Sequence, residues 1–183
     1  MKVQMKRKEA KACCSCGCGE AEKKRILIEY LYLDLKTCDR CIGTDKVLEE
    51  TIMALNDALL LAGYEIEYKK IEIETAELAK KHQFLSSPTI RVNGYDLFGP
   101  VKESNCGCCG EISGTDVDCR VFEFEGTVYE VPPKKLVAQA ILKTVFGNPC
   151  REAHIGYELP DNLNAFFSGK SNKATCSCGD NCC

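Results

Sequence analysis

Two cysteines separated by two residues, Cys38 and Cys41 in the run TCDRC (37–41), are the clearest chemical signal in the chain. They follow an apolar run and lead into an amphipathic one, which places them at a strand-to-helix junction. A thiol in the first turn of a helix faces unpaired backbone N–H groups and the positive end of the helix dipole. Both stabilise thiolate over thiol and pull the pKa below the ~8.5 of free cysteine. Arg40 adds positive charge beside the pair and Asp39 opposes it. On this reading Cys38, at the more exposed helix start, is the attacking thiol, and Cys41, one turn later, resolves the mixed disulfide. The same spacing suits two ligands of a thiolate metal site, or two buried structural thiols. Thr44, a good cap residue just past Gly43, offers an alternative helix start that would leave the pair in a loop and favour metal binding.

A second cluster lies in NCGCCGEISGTDVDCR (105–120). Cys106, Cys108, Cys109 and Cys119 make a complete tetrahedral thiolate set for zinc or a related soft ion, and three of them suffice for a trigonal site. An internal disulfide such as Cys109 with Cys119, or a redox relay with Cys38 and Cys41, fits the same residues. The termini add Cys13, Cys14, Cys16 and Cys18 at one end and Cys176, Cys178, Cys182 and Cys183 at the other. Their Cys-x-Cys density resembles metallothionein clusters and reads either as soft-ion ligands or as disordered thiol reservoirs. Cys150 takes no role, and His82 and His154 read as surface or packing residues. Ser87-Pro88 opens a strand after a polar turn. A cis bond there costs only ~0.5–1 kcal/mol relative to trans, and would leave the Ser87 backbone free to pair with an extended thiol substrate.

Composition narrows the setting. The chain has 183 residues, 15 of them cysteine, and a formal net charge of −3. That balance lacks the basic face of a nucleic-acid binder. No apolar stretch reaches the ~18 residues that span a bilayer, and the N-terminus lacks the apolar run of an exported chain. An odd number of cysteines argues against complete internal pairing. A reducing, cytoplasmic interior is the expectation, where dense cysteine means thiol chemistry or soft-metal binding. No GxGxxG loop is present, so any nicotinamide or flavin dependence belongs to a partner reductase. Thiol exchange itself requires no cofactor; the metal alternative implies zinc or another thiophilic ion.

The elements that must position these thiols follow from periodicity. ILIEYLYLDL (26–35) reads as a central strand. In 45–62 Val47, Leu48, Ile52, Leu55 and Leu59 fall on one helical face. YEIEYKKIEIE (64–74) is a second strand with a slip near Lys69-Lys70. Residues 75–84 form a short helix capped by Thr75, and PTIRVNG (88–94) a third strand ending in an Asn-Gly turn. Residues 120–131 give two strands around Gly126, and 132–147 a proline-started helix. Residues 148–167 cover the core as a loop and short helix. The chain divides into a Cys-containing tail (1–22), one domain (23–167) with an insert at 95–119, and a second Cys-rich tail (168–183).

Strand 26–35, CDRC (38–41) with its following helix, SPTIRVNG (87–94), a hairpin and a last helix together resemble the thioredoxin and glutaredoxin superfamily. More narrowly, the chain is similar to an uncharacterised thioredoxin-like family of anaerobic bacteria and archaea. The resemblance covers about residues 25–147. It implies an α/β fold, a thioredoxin-like mixed sheet flanked by helices with the Cys-rich insert between the last strands. It also implies Cys38 as attacking thiol, Cys41 as resolving thiol and Pro88 as the cis-proline beside them. Thioredoxins proper carry Gly-Pro where Asp39-Arg40 stands. In such a sheet the insert leaves from the pole opposite Cys38 and must fold back about 15–20 Å to reach it. The expected function is thiol-disulfide exchange through Cys38 and Cys41 on a disulfide-bearing protein or a small thiol-reactive substrate. The alternative is binding or transfer of Zn, Cu(I), Hg(II) or As(III) by thiolate clusters. Iron–sulfur binding is a third option, although the spacing matches no cluster signature.

Overall fold

A computed structural model describes residues 23–147 and 156–175. Cys13, Cys14, Cys16, Cys18, Cys150, Cys176, Cys178, Cys182, Cys183 and His154 lie outside the described residues. The fold is α/β, with a mixed four-stranded sheet flanked by helices. Strand β1 (Lys24–Tyr32) pairs in parallel with β2 (Tyr64–Glu72) on one side. On its other side it pairs antiparallel with β3 (Thr89–Val92), which forms a hairpin with the two-residue β4 (Tyr95–Asp96). The sheet order is β2-β1-β3-β4. Helix α1 (Asp39–Leu61) makes the crossover from β1 to β2, long enough for a parallel connection. Helix α2 (Ala76–Lys81) joins β2 to β3, capped as expected by the Thr75 hydroxyl, which accepts from Leu78 N at 3.3 Å.

The alternation of β1 divides the interior. Ile26, Ile28 and Tyr30 point to one face, where α1 and α4 (Lys134–Phe146) cover them with Leu48, Leu59, Val137 and Ile141. Leu31 faces the other way and, with Leu33, joins a second core with Ile73, Phe84 and the thiol-bearing elements. The β1–β2 register runs unbroken from Lys24↔Tyr64 to Tyr32↔Glu72, so the slip expected near Lys69-Lys70 is absent. Those lysines are instead exposed on β2, with Lys70 reaching Asp45 and Glu49 on α1 at 2.7 and 2.8 Å. The Asn-Gly turn forms as expected, with φ of 51° at Asn93 and 82° at Gly94.

The hairpin around Gly126 does not join this sheet. β6 (Asp118–Phe124) and β7 (Thr127–Tyr129) pair with β5 (Lys102–Asn105) in a separate three-stranded sheet, order β5-β6-β7. Between β5 and β6 lies α3 (Gly107–Ser113), so the region read as a structureless insert carries regular structure of its own. Helix α5 (Asp161–Thr175) packs across α3 and runs through residues expected to belong to a tail. Gly169 permits that crossing: a Cβ there would stand 2.4 Å from the Ser113 carbonyl oxygen.

Candidate functional site

Helix α1 begins at Asp39 with Cys38 at its N-cap, rather than at Thr44, which is buried inside the helix. Gly43 lies inside the helix as a packing residue: a Cβ on it would come within 2.7 Å of Val131. The turn before the helix is organised by Asp34. Its carboxylate accepts from the backbone N–H groups of Lys36, Thr37 and Cys38 at 2.9, 2.6 and 3.1 Å. Burial works against that charge, but the hydrogen bonds from Thr37, Cys38 and Lys36 outweigh it and hold the carboxyl below its ordinary value.

Cys38 is not the exposed member of its pair. Both Cys38 and Cys41 have no accessible surface, because the insert covers them. The chain folds back as the strand directions require and brings Cys106, at the N-cap of α3, and Cys109, inside it, against Cys38. The Cys38 Sγ lies 4.0 Å from Cys106 Sγ and 3.9 Å from Cys109 Sγ, and the three sulfurs all fall within 4.8 Å of one another. Cys119, on β6, places its Sγ 3.4 Å from Cys109 Sγ. Cys108 is half-buried and outside this group, so Cys38 stands where the sequence pattern suggested Cys108. Cys41 keeps to one side, with its Sγ 3.3 Å from the Ser87 hydroxyl and its carbonyl accepting from the Tyr30 hydroxyl at 2.6 Å. All six cysteines named here are free thiols.

The Ser87-Pro88 bond is cis, as expected, and so is Gly99-Pro100. The Ser87 carbonyl, however, is taken: it accepts from Arg120 N at 2.7 Å. β6 thus lies along the loop that was expected to receive an extended substrate, with Cys119 adjacent in sequence. Two buried arginines hold it there. Arg120, with no accessible surface, donates to both Asp96 carboxylate oxygens at 2.9 and 2.6 Å and to the Phe98 carbonyl at 2.9 Å. Arg40 donates to the Cys119 carbonyl at 2.8 Å, to the Ser104 and Asn105 carbonyls at 3.2 Å each, and to Glu130 at 2.5 Å. One guanidinium from the CxxC motif therefore fixes the backbone at Cys119 and just before Cys106.

Crowding of the sulfurs shifts their thiols in opposite directions. Contacts from Cys109, Cys119 and Cys38 pull the Cys106 thiol down. The Cys106 contact in turn pushes up Cys38, Cys109 and Cys119. The helix end was expected to depress Cys38; the contact with the Cys106 sulfur outweighs it. Cys41 is lowered by the Cys38 sulfur and, against burial, by the Ser87 hydroxyl.

The spacing fits one soft ion. With metal–sulfur bonds of about 2.3 Å, sulfurs around a single ion stand about 4.0 Å apart in a trigonal plane and about 3.8 Å in a tetrahedron. The separations at Cys38, 4.0 and 3.9 Å, match both.

Sequence reasoning found each cysteine but not the set that meets. It also missed Ser87 as a partner of Cys41 and Arg120 as a buried anchor. Arg40 carried a signal, a charge inside the motif, but not its role as a clamp.

A family profile described as "Domain of unknown function (DUF2703)" matches residues 26–141. A curated protein from Archaeoglobus fulgidus, named only as an uncharacterised protein, is 31% identical over 118 residues, which is 62% of this chain and 82% of that one. No solved structure matches. The matched span contains Cys38, Cys41, Pro88 and every insert cysteine of the site.

Proposed function

The chain belongs to the DUF2703 family, and from its own geometry we propose that it binds a soft, thiophilic ion through Cys38, Cys106 and Cys109, with Cys119 as an adjacent fourth thiol. The observation that carries this reading is the pair of Cys38 sulfur distances, 4.0 and 3.9 Å, in a fully buried site. Thiolates are the ligands of choice for Zn, Cu(I) and other soft ions, and a buried site excludes competing water. An iron–sulfur cluster suits it less well, since each iron takes its own cysteine and spreads those sulfurs further apart than one ion does.

The scaffold is read as thioredoxin-like. The order β2-β1-β3-β4, the CxxC pair at the start of α1 and the cis Ser87-Pro88 bond support that reading. The same features support a second function, thiol-disulfide exchange through Cys38 and Cys41. Two observations weigh against protein disulfides as its substrate: Cys38 has no accessible surface, and the Ser87 carbonyl is bonded to Arg120. A small thiol-reactive substrate meets neither obstacle as strongly.

The deciding experiment is elemental analysis with a thiol count on anaerobically purified full-length chain and its Cys38→Ser and Cys41→Ser variants. Ion binding at the site predicts one ion fewer per chain in Cys38→Ser and no loss in Cys41→Ser. Equal ion content in all three, with a reducible disulfide that needs both Cys38 and Cys41, would replace this reading with the redox one.

A further inference from the structure

The charges around the buried sulfurs narrow the ion. Among the described residues the buried guanidiniums beside the thiols are Arg40, matched by Glu130 at 2.5 Å, and Arg120, matched by Asp96 at 2.6 Å. On the other side of Cys38 stands the Asp34 carboxylate, accepting from the Cys38 N–H at 3.1 Å. The first turn of α1 contributes the partial positive charge of a helix end, about half a unit. Among the described residues no surplus cation is therefore at hand to balance a charged complex, and an unbalanced charge in a buried site is costly. Three thiolates on a dication leave one negative charge, and four leave two. Three thiolates on a trivalent ion leave none.

We propose that the Cys38–Cys106–Cys109 site selects a trivalent metalloid hydroxide, with arsenous acid as the representative, over divalent zinc. The proposal rests on the soft-ion reading above and adds the class of ion. In the binding step three As–S bonds form and three As–O bonds break. Each departing hydroxide leaves as water with one ligand proton, whether from a thiol or, for a ligand already ionised, from solvent. No electrons are transferred, so no oxidant or reductant is needed. Arsenic remains trivalent and pyramidal, which draws the three sulfurs somewhat closer together than the 4.0 and 3.9 Å that separate the other two from Cys38 here. The incoming species is small and uncharged, which suits a site whose three ligands are 0%, 4% and 0% exposed. Cys119, beside Cys109, is then a spare thiol that a zinc site would recruit and a metalloid site would not.

The test uses full-length, metal-free protein under anaerobic conditions, titrated with arsenous acid and separately with zinc. Wild type is compared with Cys38→Ser and with Cys109→Ala, so that binding by other cysteines cancels in the differences. The expected result is one equivalent of arsenic lost in each variant, with three sulfur neighbours per arsenic in the X-ray absorption difference spectrum. That equivalent should displace site-bound zinc. Its affinity should not strengthen between about pH 6 and pH 8, whereas zinc, which must expel thiol protons, gains more than about 100-fold over the same range. Zinc that resists excess arsenous acid, or arsenic held by two sulfurs and an oxygen, would overturn the proposal while leaving the soft-ion reading intact. Binding of both ions that is unchanged in Cys38→Ser would overturn the soft-ion reading itself.

Discussion

The two cores of this protein are built by different rules. Between the sheet and helices α1 and α4 the interior is aliphatic and aromatic: Ile26, Ile28, Leu48, Leu59, Ile90, Val92, Val137 and Ile141 around Tyr30. Behind the opposite face of β1 the interior holds Cys38, Cys41, Cys106, Cys109 and Cys119 among Leu31, Leu33, Phe84, Leu163 and Phe166. The first is held by apolar burial, which is non-directional and tolerant of detail. The second is assembled by specific polar bonds from Arg40 and Arg120. A hydrophobic core determines that the chain folds; the arginine bonds determine which thiols meet, and on the reading proposed above those thiols are ligands.

The sharpest way to break that contrast is Arg120→Met. It leaves the Asp96 carboxylate without its bidentate partner and unties β6 from β4 of the other sheet, an expected loss of about 3–4 kcal/mol. Urea unfolding should show it, and the Cys38-dependent ion should fall with it. Stability loss without ion loss would mean that β6 is not what holds the thiols together. Ile141→Ala removes a fully buried side chain from the other core. The expected cost is about 2–3 kcal/mol, with ion stoichiometry unchanged; an equal loss of ion would show the two cores to be one energetic unit. The smallest effect is expected at the α3–α5 crossing. Gly169→Ala sets a Cβ 2.4 Å from the Ser113 carbonyl oxygen, so the helices must part, at a cost of about 1–2 kcal/mol. Thermal unfolding should register it, together with a weaker hold on the ion through Cys109 on α3.

Much of the sheet side was legible because its signals are local. The alternation in β1, the apolar stripe of α1, the Thr75 cap and the Asn93-Gly94 turn each depend on residues a few positions apart. What was misread on that side depended on distant partners. Thr44, just past Gly43, offered an alternative helix start, yet Gly43 lies inside α1 and packs under Val131, eighty-eight residues away. The slip in β2 was inferred from a change of phase in its apolar pattern, but β2 is an edge strand whose Lys70 makes ion pairs with α1 and whose Lys69 pairs with Glu67 on the same strand. The hairpin around Gly126 was visible, whereas its membership of a second sheet was not, because pairing with β5 leaves no mark within the hairpin.

By itself the sequence determined the α/β class, the strand-to-helix placement of Cys38 and Cys41, the cis-compatible Ser87-Pro88 step and an abundance of soft ligands. Those features follow from propensity, periodicity and composition along a short stretch of chain. Only the tertiary structure decided which thiols meet. Cys38 joins Cys106 and Cys109 across separations of 68 and 71 residues, and Cys108, beside them in sequence, stays out. The reason is physical: which thiols meet is fixed by where backbones cross, and here the crossing is set by the buried Arg40 guanidinium on the Cys119 carbonyl of distant β6 and by Arg120 of β6 on Asp96 and the Phe98 carbonyl.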